Sequence, residues 1–407
     1  MDFPAVLDDL MMAQQPILKR NKEIFGYELL FRGMDAQQAQ FADGKVATSQ
    51  VLVNLCIGIT NLESQLRKPF FVNMTSELIL SDAFFPIDHN TVYIEILESQ
   101  KLTPEFYHAV EKWRAAGYRF ALDDYQFEAD YEALLPWVSI VKIDVLKTPP
   151  CQYSEQIAAL KRKGLLLLAE KVEDHTMFEQ CKKLGFDLFQ GYFLQRPAII
   201  KGRIIDSATH SAIALVNALQ DKDISIEKVS LLIEKNPKLS YQLLRILNSP
   251  ICGIGKKVMS IKEAVIFLGL VKLKRWALLI TLTSSSNQPN ALFKILLTRA
   301  KCCQLLAEKI DNRLSESAFM VGLMSGMDAV FQVEKQVILE QTALEEEVLS
   351  AILDQSGDLG QFLHWTISCE QQAWHNINSL TPNQLASLNR AFLEAILWSD
   401  EVMQPIS

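Results

Sequence analysis

The chain has 407 residues, enough for more than one hydrophobic core and most simply two domains. Hydrophobic residues make up 49% and charged residues 22%, the balance of an ordinary globular protein. The net charge of −8 argues against nucleic acid or any other general polyanion as a partner, though a local cation-lined pocket for a small phosphate ligand is compatible with it.

The amino-terminal Met1-Asp-Phe-Pro4 lacks the basic-then-apolar pattern of a signal peptide. The longest apolar runs, such as Trp276 to Thr283, are too short to span a bilayer. No membrane insertion and a cytoplasmic location are expected. The seven cysteines are scattered and only Cys302 and Cys303 are adjacent, which suits free thiols in a reducing compartment. The six histidines are isolated, which argues against zinc.

In chain order, Met11 to Leu18 and Ile24 to Arg32 read as a strand pair joined at Asn21-Lys22. A helical stretch follows, with Val46, Val51, Leu52, Leu55, Ile59 and Leu62 at helical spacing. Strand-like runs then appear at Phe70–Asn73, Val92–Glu95, Phe120–Asp123, Val138–Lys142, Leu165–Glu170 and Asp187–Gln190. Helix-like segments separate most of them. Thr103-Pro104 opens one helix as cap and first residue, and that helix ends near Gly117. Strand alternating with helix predicts a parallel sheet, and the number of units suits a (β/α) barrel.

The runs share a chemical regularity. They end on Glu28, Asn73, Glu95, Asp123, Lys142, Glu170 and Gln190. In a barrel these ends converge on the carboxyl face, so residues far apart in sequence line one pocket. Asp123 and Asp124 are adjacent carboxylates that repel each other, and a divalent cation with a preference for oxygen ligands offsets that repulsion. Taken alone, such a pair more often ends as a solvated turn.

The first half resembles the EAL family, the cyclic di-GMP phosphodiesterases and their degenerate relatives. Gln15-Pro-Ile17 matches the opening strand, and Tyr27-Glu-Leu-Leu-Phe-Arg32 the signature strand, with Leu29 where the family name has alanine. Phe71-Val-Asn-Met74, Ile94-Glu-Ile-Leu-Glu-Ser99, Val141-Lys-Ile-Asp144, Ala169-Glu-Lys-Val-Glu173 and Gln190-Gly-Tyr192 continue the series. Leu97 stands where threonine is usual, and Lys171 where glycine is usual.

The resemblance implies two divalent cations, Mg²⁺ or Mn²⁺, clamping the attacking and leaving oxygens of a phosphodiester. It implies Glu28, Asn73, Glu95 and Asp123 on one metal, and Asp123 bridging to a second with Asp124. Lys142, Glu170 and Gln190 fall to catalysis: Glu170 positions the attacking water or adds a ligand, Lys142 sits by that water or the phosphate, and Gln190 orients waters or ligand. Arg32 contacts a phosphate or a guanine edge. One departure counts against hydrolysis. After Asp124 the family continues with glycines, and this chain has Tyr125-Gln-Phe-Glu-Ala-Asp-Tyr131. The loop is therefore expected to take a different path, and binding of cyclic di-GMP with weak or no hydrolysis is the favoured reading. An active phosphodiesterase is the alternative.

Arg196 to Asp206 reads as the boundary, giving a barrel over residues 1–203 and a second domain over 204–407. Beyond it every segment reads as helix. Leu239, Leu243, Ile246 and Leu247 form a stripe after Asn236-Pro237. Ser260-Ile-Lys-Glu263 is a capping box for a helix burying Ile261, Ala264, Val265 and Leu268, with Gly269 as its end. Thr381-Pro382 opens the last long helix.

Asn236 to Ser249 and Ser260 to Gly269 resemble the HDOD family, which is related to metal-dependent hydrolases but has lost their ligands. No His-Asp dipeptide occurs here, and His210, His364 and His375 are isolated. The resemblance implies a protein partner bound through the helical domain, and a homodimer is an open possibility. Lys256, Lys257, Lys262, Lys272, Lys274 and Arg275 cluster in sequence, and in an acidic chain a solvated helix face is the favoured reading. Together the halves point to a bacterial cyclic di-GMP signalling protein: an EAL-type (β/α) barrel followed by an all-α domain.

Overall fold

The computed structural model describes residues 10–33, 68–74, 76–80, 88–97, 100–195, scattered helical positions between 213 and 277, and 289–403; of residues 10–13 and 30–33 only the backbone is described. The chain divides into two compact units. The first takes in residues 1–196 and 368–393, the second 197–367 and 394–407.

The first unit is a closed barrel with its strands in sequence order: β1 Leu10–Lys19, β2 Ile24–Gly33, β3 Phe70–Met74, β4 Val92–Ile96, β5 Arg119–Leu122, β6 Ile140–Asp144, β7 Leu166–Glu170 and β8 Leu188–Phe189. The expected parallel sheet holds from β2 to β8. β1 runs against both its neighbours, β2 and β8. The reason is local: a tight turn at Asn21-Lys22, with Lys22 in the left-handed region, reverses the chain and can only give an antiparallel pair. Helices α1 Pro104–Ala115, α2 Ser154–Arg162 and α3 His175–Leu184 connect later strands. Thr103 Oγ1 accepts from the Phe106 amide, so the expected cap is present.

Side chains alternate along a strand, and a small barrel fills its interior with layers of inward residues. One interior layer is Ile17, Phe71, Tyr93, Ala121, Ile140, Leu168 and Leu188. Phe71 and Tyr93 stack there at 4.7 Å between ring centroids. This layer is the apolar floor on which the polar mouth rests.

One element differs from expectation. The run ending on Lys142 was expected to stop there, but β6 continues to Asp144 and Lys142 is wholly buried within it. A lysine inside an apolar strand reads as an end, although its ammonium here is held by carboxylates from other strands. The early helical stretch around Val46 to Leu62 lies outside the described residues.

The second unit is helical, with α4 Ile226–Glu234, α5 Ile261–Leu268, α6 Asn290–Ile310, α7 Ser315–Met324 and α8 Glu346–Asp354. Ser260 Oγ accepts from the Glu263 amide and Glu263 answers by accepting from the Met259 amide, closing the capping box. Ile261, Ala264 and Val265 are buried as expected; the Leu268 side chain lies outside the described residues. Leu243 and Leu247 are buried, while Leu239 and Ile246 lie outside the described residues. Asn248 ties the end of that helix to the next segment: its Nδ2 donates to the Val258 carbonyl and its Oδ1 accepts from the Val258 amide. The division between units falls inside two long helices, α9 Gly357–Glu370 and α10 Pro382–Met403. Thr381 and Gln384 form a reciprocal cap at the start of α10. Among the described residues no helix is long and apolar enough to cross a membrane.

Candidate active site

The expected residues stand one layer above the apolar floor. Asn73, Glu95, Asp123, Lys142, Glu170 and Gln190 each lie two residues beyond Phe71, Tyr93, Ala121, Ile140, Leu168 and Leu188. Two residues return a strand to the same face, so all six side chains share the barrel axis. On the reversed β1 the same step runs backwards, from Ile17 to Gln15. Parallel register sets Asn73 beside Glu95 and Asp144 beside Glu170.

Lys142 is the centre. Its Nζ lies 3.0 Å from Glu28, 2.7 Å from Glu95, 2.8 Å from Asp123 and 2.9 Å from Glu170. Burial works to lower the Lys142 pKa, but the carboxylates of Asp123, Glu170, Glu28 and Glu95 outweigh it and hold the ammonium well above its ordinary value. Glu28, Glu95 and Glu170 shift in opposite directions. Burial pushes Glu95 well above the carboxylate range despite Lys142, with Glu28 and Asp123 adding repulsion. Burial likewise lifts Glu170 to about 8. Glu28 goes the other way: burial opposes its charge, but Lys142 and a bond from Gln190 keep it low.

Gln190 Nε2 donates to Glu28 Oε2 at 2.5 Å and to Gln15 Oε1 at 2.7 Å. Gln372, from residues 368–393 of the same unit, also donates to Gln15 Oε1 at 3.0 Å. Asp124 turns away from this cage. Its Oδ2 meets Lys147 Nζ at 2.5 Å. Asp144 Oδ1 accepts from the Leu146 and Lys147 amides, and its Oδ2 meets Lys171 Nζ at 2.5 Å. Burial raises the Asp144 pKa, but Lys171 and these amides outweigh it and hold the carboxyl low.

The loop after Asp124 is ordered without glycine. Its left-handed residues are Asp124 and Phe127, not the Gln126 or Glu128 that stand where glycine was expected. Phe127 stacks on Tyr153 at 4.8 Å, and Tyr125 is buried. Arg32 lies in β2 opposite Met11, and its side chain lies outside the described residues. Of the lysine and arginine cluster in the helical unit, Lys262 is exposed and the others lie outside the described residues.

The donor set suits a hard divalent cation in its chemistry. Asn73 Oδ1 and both Glu95 oxygens are buried without a hydrogen-bond partner, although Glu95 Oε1 is in ion-pair range of Lys142. Among the described residues, however, no three histidine, cysteine or acidic groups are gathered as a metal cluster. The carboxylates gather on the Lys142 ammonium instead.

Sequence reading left Gln15, Asp144, Lys147 and Gln372 without a role. Gln15 and Asp144 were within reach of it, since Gln15 lies two residues along a strand from Ile17 of the floor and Asp144 two from Lys142. Lys147 and Gln372 lie outside the strands, where no period points to them.

Comparison with known proteins finds the same two domains in the same order. A family model described as EAL domain matches residues 5–197, and one described as HDOD domain matches residues 205–351. A Bacillus subtilis (strain 168) protein, described as uncharacterized protein YuxH, is 33% identical over 407 residues, covering 97% of this chain and 99% of its own. A Vibrio cholerae serotype O1 protein, described as cyclic di-GMP phosphodiesterase CdgJ, is 29% identical over 399 residues, covering 96% of this chain and 92% of its own. A solved standalone EAL protein from Vibrio cholerae O395, in its c-di-GMP bound form, is 22% identical with a TM-score of 0.37, covering 47% of this chain and 91% of that one.

Proposed function

The chain belongs to the EAL–HDOD family, and from that premise we propose that it is a bacterial cyclic di-GMP signalling protein whose barrel binds the dinucleotide at its carboxyl mouth, with weak or no hydrolysis. The observation that carries this is the axial layer: Asn73, Glu95, Asp123, Lys142, Glu170 and Gln190 on one face, with Glu28 bonded into it.

In this reading Glu28, Asn73, Glu95 and Asp123 hold a divalent cation, Mg²⁺ or Mn²⁺. Bound there, it supplies charge stabilisation at the phosphoryl oxygens. Lys142 steadies the carboxylates and faces the phosphate, Glu170 positions the attacking water or adds a ligand, Gln190 orients waters or ligand, and Arg32 meets a phosphate or base edge. Weak hydrolysis follows from Asp124. Family resemblance gives that residue to a second cation, and here it is committed to Lys147. The helical domain, from about residue 204, binds a protein partner, and the protein works in the cytoplasm.

A second reading, full metal-dependent phosphodiesterase activity, is favoured by the presence in the sequence of every residue type the family's metal site needs and by the relative described as a phosphodiesterase. Turnover of cyclic di-GMP to the linear dinucleotide by the purified chain, with Mg²⁺ and then Mn²⁺, separates the two. Rapid metal-dependent turnover that disappears in Asp123→Ala establishes the enzyme. Dinucleotide binding with little or no product establishes the receptor. Absence of both removes cyclic di-GMP from the account.

A further inference from the structure

Beyond the Lys142 cage, two more lysines stand at the mouth and form one continuous network. Lys147 Nζ pairs with Asp124 Oδ2 at 2.5 Å. The Lys147 amide donates to Asp144 Oδ1 at 3.2 Å, and Asp144 Oδ2 pairs with Lys171 Nζ at 2.5 Å. Asp144 is buried and neighbours Glu170 in the sheet register, whereas the Lys147 and Lys171 side chains are 51% and 54% exposed. The network thus runs from the buried rim of the cage out to solvent.

The backbone makes Lys171 notable. Its φ is 56°, a left-handed conformation that glycine adopts freely and longer residues resist. The family resemblance expects glycine there. This chain instead carries a long cation, and its ammonium lands on a buried carboxylate of the mouth.

The charges decide the consequence. Asp124 and Asp144 each pair with an ammonium in this half of the mouth without a metal. A divalent cation entering it must displace Lys147 from Asp124 and remain close to two ammonium groups. The other half differs: Glu28, Glu95, Asp123 and Glu170 share the single Lys142 charge, and Asn73 Oδ1 is unpartnered. Exposed ammonium groups on flexible stems can also swing to a phosphate oxygen, which lysine binds as a point charge.

We propose that Lys147 and Lys171 take the electrostatic place of a second divalent cation, so that the mouth holds one divalent cation and meets the phosphodiester's remaining charge with two ammonium groups. This rests on the reading of the barrel as a cyclic di-GMP site and accounts for slow hydrolysis within it.

The test is Mn²⁺ stoichiometry on the full-length chain, stripped with EDTA and followed by the paramagnetic resonance signal of free Mn²⁺. The wild type should bind one Mn²⁺ tightly. The double variant Lys147→Met/Lys171→Gly should bind a second, at least about tenfold tighter than the wild type does. Circular dichroism checks the fold, and Lys147→Gln alone, at a half-exposed side chain, repeats the comparison if the double variant is unstable. Two Mn²⁺ of similar affinity in the wild type would overturn the proposal and leave the cyclic di-GMP reading intact. So would a second Mn²⁺ no tighter in the variants than in the wild type. No tight Mn²⁺ in the wild type would overturn the metal reading itself, and this inference with it.

Discussion

Lys142 is the counter-ion of the carboxyl cage in the barrel mouth, and its removal would be felt first as lost stability. An ammonium wholly buried among Glu28, Glu95, Asp123 and Glu170 cannot be deleted without leaving their buried negative charge uncompensated. Lys142→Met should therefore cost about 3–5 kcal/mol at neutral pH, the usual result of breaking a buried pair from one side. Urea unfolding in EDTA measures it, and an unchanged midpoint would mean that Lys142 is not the counter-ion. Glu170 makes stability depend on pH in the wild type as well. Its pKa is raised from 4.5 to about 8, so the protonated form favours the native state. That contribution is full below about 4.5 and fades as pH rises through 8. In EDTA the melting temperature should fall across this window, and added Mn²⁺ should restore more of it at pH 8 than at pH 5.

At the scale of elements, two close approaches set the geometry of the barrel mouth and of the helical unit. Gly191 follows Gln190 with φ 145°, and a Cβ there would lie 2.2 Å from the Val172 carbonyl oxygen. Val172 in turn donates to the Gln190 carbonyl and accepts from the Phe193 amide. Gly191→Ala must push this turn apart, at a cost on the order of 1–3 kcal/mol. It should also weaken dinucleotide binding, because Gln190 moves with the turn. Calorimetry on both properties checks this; a loss of stability with binding untouched would detach Gln190 from the site. In the helical unit Asn248 makes two hydrogen bonds to the Val258 backbone. Asn248→Ala should cost about 1–3 kcal/mol by leaving those groups unpaired, read from thermal unfolding of the full chain.

For the whole molecule, thiol chemistry separates interior from surface. Among the described cysteines Cys151 is exposed, and Cys181, Cys302, Cys303 and Cys369 are buried. Burial also lifts the Cys181 thiol to about 12, which suppresses its thiolate. Under native conditions iodoacetamide should modify Cys151 well before the buried four, as peptide mapping would show. Equal labelling would mean that the cores of both units open readily. Residues 368–393 count with the barrel unit, so a fragment ending at 203 lacks part of that unit, including the Gln372 bond to Gln15.

The sequence by itself determined the order of strands and helices, the polar residues at the strand ends and the caps at Thr103, Ser260 and Thr381. Those features follow from local rules: alternation along a strand, helical spacing and the chemistry of chain ends. Only the tertiary structure decided what the polar residues do to one another. It drew four carboxyls onto Lys142, turned Asp124 to Lys147 and Asp144 to Lys171, and carried β6 two residues past Lys142. Distances between side chains brought together from separate strands depend on register and closure of the barrel, and no local pattern encodes them.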